Sequence, residues 1–471
     1  MEDTIILYPV LLTILPLLLL ALKFIPRTTH KNLPPSPPSL PIIGHLHLIK
    51  RPAHHTFFKL AQKYSPIFSL KFGSRLVVVV SSSSVAEECF TKNDIVLANR
   101  PKFLAGKHLG YNYSTLVSSP YGDHRRNLRR ISAIEIFSPD SLNIFLQARN
   151  DEIRLLLTKL SSGSHQDFAK VELKSAFTNL TFNIIMRMIV GKRYYGEDVG
   201  TDGQEAEKVR ELIADAFKIC EAMNPGEFLP LSNLLNRKFV KMVKNISMRM
   251  DSFLQGLVDE HRIIEWENTD TLIHHLLSLQ ESQPEYYTDQ MIKGFMLVMI
   301  LAGTDTSAAT LEWAMSSLLN HPEVLRKVRD ELDAQIRREH LIDDSDLSKL
   351  PNLQNLISEN TIVFVNAWAI HRDPEFWDEP MSFKPERFES RGEVHKLMPF
   401  GLGRRACPGA DLAYKIVGLT LGSLIQCFEW KRINEKEIDM MEGSGLTMHK
   451  AQPLVALCKA RLIINKVLHQ Y

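Results

Sequence analysis

The chain has 471 residues, 45% hydrophobic and 23% charged, an ordinary globular composition with enough apolar material for a large core. Its 56 basic and 54 acidic side chains leave a net charge of +2, which excludes the broad positive field of a nucleic-acid binder. The five cysteines, Cys89, Cys220, Cys407, Cys427 and Cys458, are odd in number and far apart, with no Cys-x-x-Cys pair, which argues against a disulfide framework or a structural zinc site.

In chain order, the first predicted element is an apolar run, "TIILYPVLLTILPLLLLALKFI", from Thr4 to Ile25. At about 22 residues it is long enough to cross a bilayer, and Pro9 and Pro16 are tolerable in lipid. Glu2 and Asp3 precede it, and Lys23, Arg27 and Lys31 follow, which places the bulk of the chain in the cytosol. The alternative is a cleaved signal peptide, but the run has no basic segment before it. Residues 1–25 therefore read as a membrane anchor. Residues 26–45 read as a stiff hinge, because Pro34, Pro35, Pro37, Pro38 and Pro41 enforce extended backbone. In a cytosolic domain the sequons at Asn112, Asn179 and Asn245 carry no glycan.

Residues 46–471 show no second linker, repeat or low-complexity tract and are predicted to form one domain, mainly α with a small β region. "IFSLKFGSRLVVVVSS" reads as a two-stranded hairpin. Beyond it the pattern is mostly helical up to Leu356, with a long helix starting near Thr288. "LPNLQNLISENTIVFVNAWAIHRDP" then joins two unlike patterns. Leu353, Leu356 and Ile357 recur at helical spacing, whereas Thr361 to Trp368 is β-branched and aromatic and reads as a strand. Only Asn360 separates them, too little for a cap and a turn. The junction reads as the scar of a lost segment.

"MPFGLGRRACPGADLAYKIVGL" carries the chemistry. Gly401, Gly403 and Gly409 frame a loop in which backbone can approach a ligand closely, and an apolar helix follows from about Ala410. Cys407 lies in the loop beside Arg404 and Arg405 and near the helix N-terminus. Those neighbours predict a depressed thiol pKa and a thiolate able to act as nucleophile or metal ligand. An isolated cysteine is otherwise most often a small buried hydrophobe.

Phe400, Gly403, Arg405, Cys407 and Gly409 match Phe-x-x-Gly-x-Arg-x-Cys-x-Gly and resemble the haem-binding loop of the cytochrome P450 monooxygenases. The resemblance implies the cytochrome P450 fold, haem b as cofactor and Cys407 as its axial thiolate, a ligand that favours O–O cleavage. It also implies that Arg405 bonds a haem propionate and that Phe400 packs near the sulfur. "LAGTDTSAATLEW" resembles the family's oxygen-binding groove, with Thr306 bonding dioxygen and Asp305 helping to relay protons. "FKPERF" supplies the Pro-Glu-Arg-Phe element, and the order of elements resembles microsomal plant enzymes, nearest the isoflavone hydroxylases. The family further implies NADPH-cytochrome P450 reductase as partner, O2 and a small lipophilic secondary metabolite as substrates, and a single-pass location in the endoplasmic reticulum membrane.

Two departures stand out. In "YGDHRRNLRR" the family expects Trp-x-x-x-Arg with both side chains on propionates; Arg129 fits the second position and Arg125 replaces the tryptophan. Arg125, Arg126, Arg129 and Arg130 together also suggest a basic face for the reductase, or simply a solvated helix face. At the junction, Glu359 should begin Glu-x-x-Arg, but Ile362 stands in the arginine's place. In the family that arginine completes a buried network with the arginine of Pro-Glu-Arg-Phe, here Arg387, and short strands follow, one of them lining the pocket. Breaking such a network costs about 3–5 kcal/mol. Two rivals to an active monooxygenase follow: a truncated, catalytically inactive relative, favoured by the junction, and a haem-thiolate isomerase or dehydratase, disfavoured by Thr306.

Overall fold

The computed structural model describes residues 33–196, 203–221, 224–229, 236–263, 271–335, 362–385, 397–445 and 447–468. The predicted anchor at 1–25, Glu359, Asn360 and Arg387 lie outside the described residues.

The longer elements follow in chain order. Helix α1 (Ala53–Lys63) leads into strands β1 (Ile67–Phe72) and β2 (Arg75–Val80). Helices α2 (Ser83–Phe90), α3 (Asp123–Ile131) and α4 (Leu146–Ser162) precede strand β3 (Ala169–Glu172). Then come α5 (Leu173–Val190), α6 (Gly203–Glu221), α7 (Arg237–Ile263), α8 (Leu272–Ser282), α9 (Asp289–Asn320) and α10 (Pro322–Gln335). Strand β4 (Ile362–Val365), helix α11 (Ala410–Cys427) and strands β5 (Phe428–Lys431) and β6 (Val455–Ala460) complete the set.

The predicted hairpin is present. Strands β1 and β2 pair antiparallel from Ile67↔Val80 to Phe72↔Arg75 across a two-residue turn. Gly73 takes the left-handed φ of +57° there, and an added Cβ would lie 1.9 Å from the Phe228 carbonyl oxygen, so only glycine fits.

Strand β4 pairs parallel with β2, giving the order β1-β2-β4 and leaving β4 at an edge among the described residues. It is shorter than predicted. Asn366 accepts a hydrogen bond from the Ala369 amide at 3.3 Å and caps a helical turn at Ala367–Ile370, so Trp368 sits in helix rather than strand. The second sheet has the order β3-β6-β5.

Helix α9 crosses the centre of the fold and packs most extensively on α5. It begins where expected: the Thr288 hydroxyl accepts from the Met291 amide and caps it. Among the described residues it is the one helix long and apolar enough to cross a membrane, yet 61% of its most apolar window is buried in protein. A helix apolar on all faces belongs in such a core. Glu312 within it is fully buried and accepts the Leu454 amide at 2.9 Å. Helix α11 lies across α9, α4 and α10, and its N-terminus faces the middle of α9.

Candidate active site

A cavity of about 590 Å³ lies between α9 and the loop before α11. Ala302, Gly303 and Thr306 line one side, Phe400 and Cys407 the other, and Leu116, Phe137 and Phe295 add apolar walls. No lining residue among those described falls between Thr310 and Pro399.

The loop is held by backbone bonds. Gly401 and Gly403 adopt φ of +65° and +66°. The Cys407 amide donates to the Phe400 carbonyl at 2.9 Å, and Gly409 directly precedes α11 as its cap residue. An added Cβ on Gly403 would meet Asp94 Oδ1 at 2.7 Å. The buried Asp94 carboxylate accepts the Arg404 amide at 3.0 and 3.2 Å, tying the loop to the chain after α2. Sequence reasoning missed Asp94; its only signal was a carboxylate in an otherwise apolar segment, "DIVLA".

The thiol itself differs from expectation. Cys407 is open to the cavity but crowded by protein on its other sides. Burial raises its pKa, and the Gly409 amide and the Arg129 charge only partly oppose this. The adjacent arginines do not help as predicted. Arg404 turns to Asp94 at 3.4 Å. Arg405 spends Nε on the Ala98 carbonyl and Nη2 on the Ser119 carbonyl, both at 2.5 Å. A thiol at this site gains its thiolate form chiefly from a bound metal.

Three arginines crowd the cavity: Arg100, Arg125 and Arg405. Burial, then the charges of Arg125, Arg100 and Arg129, push Arg405 down to about 9. Burial, then Arg129 and Arg100, push Arg125 down to about 10. Arg125 is 4% exposed, and among the described residues its Nε and Nη1 find no hydrogen-bond partner. Arg100 was not anticipated. Arg129 donates from Nη1 to the Ala406 carbonyl at 2.7 Å and supports the cysteine loop instead of lining the cavity. The four-arginine basic face is also revised: Arg125 and Arg129 turn inward, and exposed Arg126 pairs with Asp123.

On α9, the Thr306 hydroxyl faces the cavity and donates to the Ala302 carbonyl at 2.6 Å, leaving its oxygen lone pairs free to accept. Gly303 borders the cavity, but its main constraint lies behind it: an added Cβ would meet Ile185 Cδ1 at 2.7 Å. Asp305 is not among the lining residues; its Oδ1 accepts from His449 Nε2 at 2.9 Å. Burial pushes the Asp305 carboxyl up, but the hydrogen bond and charge of His449, with a bond from Thr447, hold it below its usual value.

The cytochrome P450 family model matches this chain over residues 34–360 and again over 355–457. The chain belongs to the cytochrome P450 family. "Cytochrome P450 81Q32" of Catharanthus roseus is 55% identical over 503 aligned positions that cover all of both chains. The "Isoflavone 2'-hydroxylase" of Glycyrrhiza echinata is 53% identical over 471 positions, covering 93% of this chain and 94% of that one. The "(+)-piperitol/(+)-sesamin synthase CYP81Q2" of Sesamum radiatum is 50% identical over 93% of each. A zebra fish cytochrome P450 solved with progesterone shares the fold at a TM-score of 0.70 and 22% identity, over 87% of this chain and all of its own.

P450 enzymes are haem-thiolate monooxygenases, and the residues present fit that cofactor. The cavity offers one thiol, apolar walls for a flat macrocycle and a cluster of three arginines, of which Arg125 keeps two nitrogens without a partner among the described residues. Haem carries two carboxylates, the charge that the unpaired Arg125 guanidinium calls for. When bound, the cofactor supplies one-electron and O2 chemistry.

Proposed function

We propose that this P450 inserts oxygen into a lipophilic, flavonoid-like plant metabolite, with Cys407 as the axial ligand of haem iron. The observation that carries this reading is one cavity presenting the Cys407 thiol opposite Ala302, Gly303 and Thr306. The likeness to relatives named isoflavone hydroxylases supports the substrate class. Arg405, Arg125 and Arg100 hold the propionate side, and Phe400 and Gly409 shape the approach to the sulfur. Thr306 Oγ1 hydrogen-bonds the oxygen substrate and hands on a proton, and apolar residues such as Phe295 and Leu116 exclude water. Asp305 acts from behind the cavity, through the helix, in proton supply. Electrons come from NADPH through the P450 reductase. Residues 1–25 anchor the chain in the endoplasmic reticulum membrane, 26–45 form the hinge, and 46–471 form the cytosolic domain.

A second reading concerns this chain's own competence: it lacks a segment at 359–361 and is catalytically inactive as it stands. Two findings favour it. The family match breaks into two pieces that meet at 355–360, where the sequence pattern also breaks. The alignment with the Catharanthus relative needs 503 positions for 471 residues, at least 32 more than this chain has. Consistent with both, none of the described residues from Ile362 to Pro385 lines the cavity. The test compares this chain with a version carrying the relative's segment between Glu359 and Thr361. Haem content, protease resistance and isoflavone turnover are expected to rise in the restored version. Equal haem content and turnover in both would make Asn360 a genuine turn in a shortened, working enzyme.

A further inference from the structure

We propose that His54, His55 and Glu442 form a binding site for a borderline divalent metal of the zinc class, on the surface away from the haem cavity. His54 and His55 are consecutive residues at the start of α1. Their Nε2 atoms converge on one carboxylate oxygen, Glu442 Oε2, at 2.7 and 3.1 Å. One ligand atom from each of the three residues lies within 4.8 Å of the other two. Zinc bonds nitrogen and oxygen at about 2.0–2.2 Å, so neighbouring ligands of a tetrahedral ion lie about 3.3 Å apart. The 3.1 Å edge is already close to that spacing, and the 2.7 Å edge needs to open by only about half an ångström.

The surroundings hold the ligands in place. Trp368 packs edge-on against the His55 ring, with ring centroids 4.7 Å apart, and lies 5.5 Å from the His54 ring. Asn366 Nδ2 donates to the His54 carbonyl at 3.0 Å, tying the start of α1 to the turn after β4. Glu442 is bridged to Lys450, and the next residue donates its amide to the His449 carbonyl at 2.7 Å. Side-chain exposures of 18%, 43% and 21% leave one side open for entry and for a water as fourth ligand.

The ligand set also selects the ion. Arg372, stacked 4.6 Å from the centre of the Trp368 ring, places a positive charge beside a site that carries a single carboxylate. The Arg372 charge weakens every cation alike; the two imidazoles are what favour a zinc-class ion over hard cations that need several oxygen ligands. A bound ion would clamp residue 54, early in the fold, to residue 442, near its end.

The test uses the full-length protein dialysed against Zn2+, with Mg2+ and Ca2+ in parallel, then metal analysis, thermal unfolding with and without EDTA, and zinc X-ray absorption. The expected result is one zinc per chain in a nitrogen and oxygen shell without sulfur, a melting temperature raised by zinc and lowered again by EDTA, and no uptake of Mg2+ or Ca2+. His55→Gln and Glu442→Gln should each weaken zinc binding about tenfold or more. His55 is the most exposed ligand, so its variant tests the site with the fold intact. Failure to retain zinc, a sulfur-containing shell, or unchanged affinity in both variants would overturn the site.

Discussion

Arg125→Met separates what the arginine does for the fold from what it does for the cofactor. The residue is 4% exposed, its Nε and Nη1 have no partner among the described residues, and it lies beside two further cations, Arg129 and Arg100. Burial, then the charges of Arg129 and Arg100, push its pKa down to about 10, well below the usual arginine value. Because the folded-state value lies below the unfolded one, the charged form is the one that folding disfavours. The cost is fully present at neutral pH and fades only as pH rises above about 10 towards the usual arginine value. At 1.36 kcal/mol per pKa unit the penalty is roughly 3 kcal/mol, a sizeable part of a domain's stability. Methionine fills similar space without charge, so the haem-free protein should gain up to about 3 kcal/mol, less whatever the packing of the arginine's aliphatic stem now contributes. With haem bound the sign reverses, since a propionate would pair the guanidinium that the substitution removes. Urea unfolding of haem-free protein and the rate of haem transfer to an excess of apomyoglobin read the two effects separately. A variant that is less stable without haem, or one that loses haem no faster than the original, would refute the reasoning.

Cys407→Ser should abolish the thiolate-type Soret band of the reduced CO complex, whereas Cys427→Ser, at a fully buried thiol that does not line the Cys407 cavity, should keep it; difference spectra of both variants check this. In the segment-restored version, Thr306→Ala should consume NADPH with more peroxide and less product, and unchanged coupling would remove the hydroxyl from proton transfer. Gly303→Ala sets a helix-propensity gain of about 0.5–1 kcal/mol against the new methyl's clash with Ile185 Cδ1, so its net cost in urea titrations should be at most about 1 kcal/mol, and adding Ile185→Val, which removes Cδ1, should relieve the clash.

Much of this protein was legible in the chain because its signals are local. A hairpin is set by alternation around a tight Gly73 turn, and the starts of α9 and α11 by a Thr288 cap and a glycine before Ala410. The Phe-x-x-Gly-x-Arg-x-Cys-x-Gly spacing pointed to the candidate site because five residue types at set intervals define a loop without outside help. The proposal of a lost segment also rests on a local signal, a helical sequence pattern meeting a strand pattern at Asn360 with no turn between them.

What only the tertiary structure decided is where side chains from distant segments point and what they meet. Arg404 and Arg405 adjoin Cys407 in sequence, yet spend their donors on Asp94, Ala98 and Ser119, so the thiol's pKa rises where neighbours in the chain predicted a fall. Arg125 and Arg129 lie one helical turn apart, yet one faces the cavity and the other holds the Ala406 carbonyl. Arg100, far from every motif, joins Arg125 and Arg405 at the cavity, and His449 takes hold of Asp305 from a loop 144 residues away. Sequence spacing sets local backbone form through sterics and hydrogen bonding at short range. Burial and charge depend on neighbours that arrive from elsewhere in the chain, and those exist only once it has folded.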